Sequence, residues 1–305
     1  MNWKCEISAA AARIVGHAQV TPVMESTALG LDYPVEMKLE HLQHTGSFKA
    51  RGAFNTLLSS DVPEAGVVAA SGGNHGAAAA YAARALGYPA KIFVPEIAGP
   101  SKIALIKQTG ADLSVVSGEY ANALTGAQEH EEATGAMQIH AYDAPSTVAG
   151  QGTCFSEWEA QGLQADTVLV AVGGGGLIAG ALAWFDGTRK IVAVEPATSC
   201  ALNAALQAGE MVDVTVSGIA ANALGARRIG SICFGLAQGM TSVLVTDEAI
   251  AEAQQRLWRA HRILVEPAGA TALAALISGA YQPTPGERVA VLICGGNISP
   301  DPLNG

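Results

Sequence analysis

Short apolar runs alternate with helical patterns along most of this chain, and the alternation restricts the folds that it can adopt. The apolar runs predict strands at Val67–Ala70, Ala90–Val94, Leu113–Val116, Val168–Val172, Lys190–Glu195, Ser242–Val245 and Arg288–Ile293. Helical patterns occur at His75–Leu86, Pro100–Gln108, Tyr120–Thr134, Gly176–Trp184, Ser199–Gln207, Asp247–Ala260 and Ala268–Ile277. This order predicts an α/β fold whose parallel sheets carry helices on both faces. Two sheets that share a cleft suit the pattern better than one sheet of about nine strands.

The composition predicts a soluble, folded chain. Half of the 305 residues are hydrophobic and 14% are charged, so the chain can bury a large core. The formal net charge is −10 and no basic cluster occurs, which argues against nucleic acid or an anionic membrane as a partner. The five cysteines are scattered, without disulfide or metal-site spacing, so we expect a cytoplasmic protein. Charges at Lys4, Glu6 and Arg13 predict an N-terminal soluble helix and not a signal peptide.

One stretch is apolar enough to imitate a membrane span. Thr167 to Phe185 contains no charged residue and is long enough to cross a bilayer. Four consecutive glycines interrupt it at Gly173–Gly176. We therefore predict a buried strand, a loop and a buried helix.

Four segments hold the residues on which a chemical function could depend. They are His44-Thr-Gly-Ser-Phe-Lys-Ala-Arg-Gly52, Ser71-Gly-Gly-Asn-His-Gly76, Gly173-Gly-Gly-Gly176 and Cys294-Gly-Gly-Asn297. Most lysines are solvated at the surface, but Lys49 lies among glycines and a phenylalanine in a segment that is otherwise poor in charge. Together the segments fit one flat, phosphorylated ring, pyridoxal phosphate, bound to Lys49 as a Schiff base. Lys49 would then also act as the base that takes the α-proton of an amino-acid substrate.

The glycine block Gly173–Gly176 follows a predicted strand and opens a helix, as phosphate-binding loops do. Consecutive glycines can point several backbone N–H groups at one anion, and the helix N-terminus adds partial positive charge. A second interpretation is open, because Gly174-x-Gly176-x-x-Ala179 with Glu195 further on also matches a dinucleotide-binding pattern. A nicotinamide-dependent oxidoreductase is therefore an alternative, although it leaves Lys49 without a role.

The segment Ser71–Gly76 also joins a strand to a helix, and its composition suits a substrate carboxylate. The Ser71 hydroxyl and the backbone N–H groups of the loop can donate to an anion. Asn74 could donate to the ring oxygen of the cofactor. We interpret His75 mainly as a residue at the helix start whose backbone contributes.

Cys294 ends a predicted strand, where a buried thiol is commonly a small hydrophobic residue. If it faced the pyridine nitrogen of the cofactor, it would be a neutral and weak hydrogen-bond partner. A carboxylate in that place would keep the ring protonated and favour a long-lived carbanion. A neutral thiol would not, so a leaving group at Cβ would depart instead, which favours β-elimination over transamination.

With these segments the chain resembles the fold-type II pyridoxal phosphate enzymes, which have the tryptophan-synthase-β-like fold, and among them the serine/threonine dehydratases and serine racemases. Further matches in the same order are Ala149-Gly-Gln-Gly-Thr153, Val194-Glu-Pro196 and Val265-Glu-Pro-Ala-Gly269, so the resemblance spans nearly the whole chain. It implies a large cofactor-binding domain from residues 1–59 and 144–305. It also implies a small domain inserted at residues 60–143, with a cleft between the two.

The resemblance also implies which residues bind the cofactor and the substrate. It places around the ring Phe48, Lys49, Asn74, Glu266 and Cys294. It assigns the phosphate to Gly173, Gly174, Gly175, Gly176 and Leu177. It assigns the substrate to Ser71, Gly72, Gly73, Asn74 and His75. The reaction that it implies removes water from a serine- or threonine-type amino acid and gives a 2-oxo acid and ammonia.

Two departures from the racemase pattern are informative. Serine racemases carry a second serine in the carboxylate loop, as an acid on the opposite face of the ring, where this chain has Gly72. We therefore predict dehydration with little or no racemisation. Racemase-like relatives also hold a divalent ion, and the corresponding residues here are Glu195, Ser199 and Ala201. Because one of two carboxylates is missing, we predict no tightly held metal.

The side chain of the substrate stays open at this point. Tyr142 lies where racemases have asparagine and biosynthetic threonine dehydratases have phenylalanine. Serine, threonine, phenylserine and hydroxyaspartate are all candidates, and so is a serine racemase-like activity. Arg227 and Arg228 could serve an acidic side chain, but we interpret them as a solvated pair. No regulatory domain is expected after Gly305, hence no feedback by isoleucine.

Two other classes are weighed against the dehydratase. Enzymes of β-replacement type, such as cysteine synthases, usually have a Ser-Val-Lys-Asp-Arg-like lysine segment and an asparagine-threonine loop, which this chain lacks. A non-catalytic binding protein on the same scaffold is also conceivable, and bound cofactor without turnover would identify it. The family is commonly dimeric, so we expect a homodimer.

Overall fold

A computed structural model of the chain describes residues 1–98, 100–118 and 120–298. The strands in these ranges are β1 Val23–Ser26, β2 Val35–Lys38, β3 Val67–Ala70, β4 Ala90–Pro95, β5 Asp112–Val116, β6 Met137–Gln138, β7 Thr167–Ala171, β8 Lys190–Pro196, β9 Thr241–Val245 and β10 Val289–Leu292. The helices are α1 Trp3–Arg13, α2 Lys49–Leu58, α3 Asn74–Ala85, α4 Pro100–Gln108, α5 Tyr120–Thr134, α6 Pro145–Ala160, α7 Gly176–Phe185, α8 Ala201–Ala208, α9 Ala221–Leu224, α10 Ser231–Leu236, α11 Asp247–His261 and α12 Pro267–Ile277. Short 3₁₀ turns occur at Glu40–Leu42, His44–Gly46 and Glu96–Ala98.

The strands form two sheets, which confirms the predicted α/β fold. One sheet has the order β1-β2-β10-β7-β8-β9 and the other β5-β4-β3-β6. All strand pairs are parallel except β1 with β2, an antiparallel edge pair that the prediction of parallel sheets did not include. The strands of the smaller sheet all lie between residues 67 and 138, whereas the domain boundaries at 60 and 143 stay a prediction.

The apolar stretch that resembled a membrane span folds as predicted. It forms β7, the glycine block and α7. Every residue of β7 is buried, as are those of β10 beside it. Their continuous apolar sequences follow from helices that cover both faces of the sheet. In the part of the chain that the structure describes, no helix has the length and hydropathy needed to cross a bilayer.

The helix that begins with Lys49 is packed on two sides. Ala50, Phe54 and Leu57 of α2 belong to the core of the smaller sheet. On another face, Gly52 lies against Gly150 of α6, where a Cβ on Gly150 would come within 2.6 Å of the Gly52 Cα. Such close backbone contact leaves α2 little freedom to move, so the position of Lys49 is set by the fold.

A buried ionic cluster ties α2 to the larger sheet. Arg51 donates from Nε and Nη2 to the two carboxylate oxygens of Glu40, at 2.8 and 2.7 Å. Lys38 donates to Glu157, and Arg51 also contacts Glu157 at 2.9 Å. Burial alone would raise the pKa of Glu40, but the Arg51 guanidinium holds it below its ordinary value. The Glu40 carboxylate is therefore ionised inside the core and depends on Arg51 for its charge partner.

Candidate active site

The carboxyl ends of β3, β7 and β10 open onto one cleft between the two sheets, the usual ligand position in parallel α/β folds. The cleft contains a cavity of about 540 Å³. It is lined by every residue that the sequence assigned to a binding role: Phe48, Lys49, Ser71, Gly72, Gly73, Asn74, His75, Gly173, Gly174, Gly175, Gly176, Leu177, Glu266 and Cys294. The structure thus brings the four segments together, and the individual roles stay predictions.

Lys49 is the first residue of α2 and its amine is directed into the cleft. Lys49 Nζ donates to the Ala141 carbonyl oxygen at 2.7 Å and lies 5.2 Å from the centre of the Phe48 ring. Burial lowers the pKa of Lys49 to about 8, with Cys294 acting in the opposite direction. A neutral amine, which is the nucleophilic form, is therefore accessible close to neutral pH.

This lowered pKa predicts how attachment of pyridoxal phosphate depends on pH. Attack on the aldehyde needs the neutral amine, whose fraction rises about tenfold per pH unit below the pKa. With a pKa of about 8 in place of 10.5, the attachment rate to apoenzyme should level off above about pH 8. Stopped-flow absorbance measures this rate, and N-acetyl-lysine amide serves as the control with an ordinary amine. A protein rate that still climbs in step with the control near pH 10 would contradict the lowered pKa.

The glycine block is built so that no side chain fits there. A Cβ on Gly174 would lie 2.4 Å from the Tyr142 ring, and one on Gly175 2.6 Å from the sulfur of Cys233. Gly175 also has a φ of +94°, which residues with side chains rarely adopt. Helix α7 starts directly after it, at Gly176. These backbone N–H groups at a helix N-terminus fit the phosphate of pyridoxal phosphate, and Lys49 in the same cleft fits its aldehyde.

The loop Ser71–Gly73, which we predict to bind the substrate carboxylate and call the carboxylate loop, precedes α3 and has little spare room. A Cβ on Gly72 would lie 2.3 Å from the Ala98 Cβ and 3.2 Å from Val94 Cγ1. The Gly73 N–H donates to Ser71 Oγ at 3.2 Å, a contact that closes the turn. The loop therefore offers a hydroxyl, backbone N–H groups and a helix N-terminus to an anion.

His75 has a structural partner in the fold. Its Nε2 lies 2.9 Å from the Ile139 carbonyl oxygen. Burial lowers the pKa of His75 to about 3, and the nearby Lys49 acts in the same direction, so the ring is neutral. The contact agrees with the interpretation that the His75 ring supports the helix start while its backbone faces the cleft.

The Cys294 thiol is buried and uncharged. It donates to the Ala268 carbonyl oxygen at 3.3 Å. Burial is the main cause that raises its pKa far above the ordinary value, and Glu266 adds to the effect. The cleft therefore has a neutral sulfur at the end of β10, which is the property that the sequence argument required.

Glu195 corresponds to a metal-binding glutamate of racemase-like relatives. In this structure its carboxylate caps the N-terminus of helix α8. Its two carboxylate oxygens accept from the backbone N–H groups of Leu202 and Asn203, at 2.8 and 2.7 Å. Burial raises its pKa to about 7, although these hydrogen bonds lower it. Ser199 donates its hydroxyl to the Leu224 carbonyl oxygen. Across residues 1–98, 100–118 and 120–298, no group of three metal-ligating side chains comes together.

Some residues of the cleft could not be assigned from sequence. The Ala141 carbonyl is a backbone group and carries no sequence signal. The sequence compared Tyr142 only with the asparagine or phenylalanine of relatives, whereas in the structure its ring covers Gly174 and its hydroxyl donates to the Arg228 carbonyl oxygen. Arg227 and Arg228 line the cleft, and Arg228 forms an exposed ion pair with Asp213 at 3.1 Å. Their side chains are exposed, as expected for a solvated pair.

Comparison with known proteins agrees with this geometry. The chain is 36% identical over 275 residues to an L-threonine ammonia-lyase of Geobacter sulfurreducens, which covers 88% of this chain and 68% of that protein. It is 34% identical over 299 residues to a phenylserine dehydratase of Ralstonia pickettii, with 94% and 90% covered. The solved structure of maize serine racemase superposes with a TM-score of 0.92 at 30% identity, over 97% of this chain and 94% of the other.

The sequence model of one enzyme family covers nearly the whole chain. It is described as pyridoxal-phosphate dependent enzyme and matches residues 14–295. The match includes the lysine segment and the glycine block, and the cofactor of this family is pyridoxal phosphate and not a nicotinamide dinucleotide. The chain belongs to the family of pyridoxal-phosphate dependent enzymes.

Proposed function

We propose that this enzyme removes water from a β-hydroxy amino acid of the serine or threonine type and releases a 2-oxo acid and ammonia. The observation that carries the proposal is the pairing, in one cleft, of the Lys49 amine with a neutral thiol at Cys294. Relatives along most of the chain are named as an ammonia-lyase and a dehydratase, which supports the same reaction class.

Different residues of the cleft would bind the cofactor, bind the substrate and transfer the proton. Pyridoxal phosphate, when bound, supplies the electron sink that amino-acid chemistry at Cα requires. The glycine block holds its phosphate by backbone N–H groups, and Ser71 with the loop before α3 holds the substrate carboxylate. Lys49 Nζ takes the α-proton, which its lowered pKa of about 8 permits. The uncharged Cys294 would offer the ring nitrogen of a bound cofactor no ionic partner, which would favour loss of the β-hydroxyl. With the proton that Lys49 has taken, the hydroxyl would leave as water.

Proton transfer in this arrangement takes place on one face of the substrate. Gly72 has no side chain that could deliver a proton from the opposite face, and the contacts of Ala98 and Val94 fill the space where one would lie. We therefore propose a dehydratase with little racemase activity. A larger side chain on the substrate is a second candidate, because the phenylserine dehydratase relative aligns along 94% of this chain.

The test is a 2-oxo acid release assay on the loaded enzyme with L- and D-serine, L- and D-threonine, phenylserine and hydroxyaspartate. We expect kcat/KM for serine or threonine to exceed that for hydroxyaspartate by about tenfold or more, since Arg227 and Arg228, the arginines that line the cleft, are exposed to solvent and would pair only weakly with an acidic side chain. Chiral chromatography of the remaining serine measures racemisation in the same samples. Interconversion of serine enantiomers as fast as pyruvate release would contradict the proposal, and bound cofactor without turnover would indicate a binding protein.

We also propose that the enzyme works as a homodimer in the cytoplasm. All five cysteines are free thiols and Cys5 is exposed, which suits a reducing compartment. Large apolar side chains such as Val15, Val20 and Leu42 are exposed on the single chain and could be covered by a second copy. Light scattering against the 31.0 kDa mass of one chain decides the assembly.

A further inference from the structure

Asn297 ends the segment that begins with Cys294, and the proposed reaction gives it no role. Its side-chain Nδ2 donates to the Thr45 carbonyl oxygen at 2.7 Å and to Asn74 Oδ1 at 2.8 Å. It therefore joins the lysine segment to the helix that follows the carboxylate loop. The contact depends on Gly46, because a Cβ there would lie 2.4 Å from Asn297 Oδ1.

The backbone just before Asn297 is fixed to the lysine segment by hydrogen bonds. The Gly296 N–H donates to the Gly46 carbonyl oxygen at 2.8 Å, and the Phe48 N–H donates to the Cys294 carbonyl oxygen at 3.3 Å. Ser47 and Gly295 form an antiparallel bridge between these two contacts. Asn297 is thus held at a defined distance from the start of α2.

The Thr45 carbonyl determines which way the Asn297 amide is turned. A backbone carbonyl can only accept, so the NH₂ group of Asn297, and not its oxygen, must face Thr45. The second hydrogen of that NH₂ group is then available to Asn74 Oδ1. In this way the Thr45 carbonyl, acting through Asn297, also sets the orientation of the Asn74 side-chain amide.

The same logic extends to Asn74. Since its oxygen accepts from Asn297, its NH₂ group faces the other way, and Asn74 Nδ2 donates to Glu266 Oε1 at 2.5 Å. Glu266 precedes α12 and is buried. An amide NH₂ has two hydrogens, and the second one of Asn74 has no acceptor among the described residues. Asn74 lines the cleft, so this hydrogen remains for a bound ligand.

We infer that Asn297 is a positioning residue that fixes the amide of Asn74, so that Asn74 presents an N–H donor and not a carbonyl oxygen to the bound cofactor ring. The inference rests on the proposed role of Asn74 at the ring oxygen. Asn297 is not among the described residues that line the cleft, so it acts through Asn74.

The decisive variant is Asn297→Asp, which keeps the size of the side chain but has no donor. An ionised carboxylate would repel the Thr45 carbonyl and the Asn74 oxygen. The Asn74 NH₂ group would then be divided between this carboxylate and Glu266, and the amide would leave its present orientation. The ring oxygen then loses its donor. We expect the dissociation constant of pyridoxal phosphate to rise about tenfold. The pH midpoint of the bound cofactor's visible absorption should move up by about one unit.

Repeating the Asn297→Asp measurement in the Asn74→Ala background separates an effect on the orientation of Asn74 from the direct effect of the added negative charge. The negative charge of Asn297→Asp acts in any background, whereas the path through Asn74 is absent once Asn74→Ala is made. We expect the shift of the midpoint to shrink by at least half in the Asn74→Ala background, as measured by a double-mutant cycle. An equal shift in both backgrounds, or none in the first, would overturn the inference. Asn2→Asp, at the exposed N-cap of α1, is the matched control and should change neither quantity.

Failure of this inference is distinguishable from failure of the proposed site. Borohydride reduction followed by mass spectrometry shows whether the cofactor is attached to Lys49 in each variant. Label on another residue would sink the proposed site itself. Label on Lys49 with unchanged affinity and midpoint would sink only the role of Asn297. If Asn297→Asp does not fold, Asn297→Ala is measured in the same way, and an unchanged affinity and midpoint there would count against the inference.

Discussion

Replacement of Lys49 by alanine is expected to lower turnover by at least about 10³-fold while the fold stays intact. The amine has two proposed duties, attachment of the cofactor and removal of the α-proton, and alanine can perform neither. The fold should tolerate the change because, among the residues that the structure describes, Lys49 Nζ contacts the neutral Ala141 carbonyl and the Phe48 ring and forms no ion pair. Steady-state release of 2-oxo acid measures the loss, and circular dichroism checks the fold.

Two matched variants sharpen this experiment. Lys49→Arg keeps a positive charge, but a guanidinium is never deprotonated and cannot attack an aldehyde, so it should be as inactive as alanine. Lys4→Ala removes an exposed lysine from α1 and should retain full activity. If Lys49→Ala kept activity within about tenfold of the parent, a loss of only ~1.4 kcal/mol, Lys49 would not be the base.

Replacement of Arg51 by leucine is expected to destabilise the protein by about 3–5 kcal/mol, although Arg51 takes no part in the chemistry. Glu40 is fully buried and its charge is held by two hydrogen bonds from Arg51. Without Arg51 the carboxylate must stay charged in the core with weaker partners or take up a proton. Equilibrium unfolding in urea, with the midpoint and slope fitted together, measures the loss.

The pH dependence of this effect follows from the direction of the Glu40 shift. In the parent protein the Glu40 pKa is lowered, so its contribution to stability is present above the unfolded-state pKa and is lost as the pH falls. The difference between parent and Arg51→Leu should therefore shrink in acid. Arg288→Leu breaks an exposed pair with Asp166 and should cost less than about 1 kcal/mol. If Arg51→Leu also lowered the free energy of unfolding by less than about 1 kcal/mol, the buried ionic cluster would not be needed for stability.

Much of the fold could be predicted from sequence because the central strands are apolar throughout. β3 was predicted at its observed bounds, and β7, β8 and β10 within a residue at either end. β2 was missed because Glu36 and Lys38 are typical of an exposed segment, whereas Lys38 is fully buried against Glu157 and Gln161. Helix α6 was hidden by Gly150 and Gly152, which weaken a helix but allow close packing here.

Site residues could be predicted from the sequence where the chemistry requires a particular side chain, or a glycine without one. Lys49 and the glycine block could be predicted as binding residues because an imine needs an amine and an anion site needs residues without side chains, and both line the cleft. The Ala141 carbonyl could not, since any residue supplies a carbonyl. The link from Asn297 to Asn74 joins residues 223 positions apart, and one sequence has no signal for such a pair.

The contact between Gly72 and Ala98 has a consequence for how relatives of this enzyme could diverge. Serine at position 72, which by resemblance would supply the second proton donor of a racemase, has no room while Ala98 stands 2.3 Å from its Cβ. A serine at this position would require the turn Glu96–Ala98 to shift or to change with it. Packing between these two segments therefore opposes the direct replacement of Gly72 by serine.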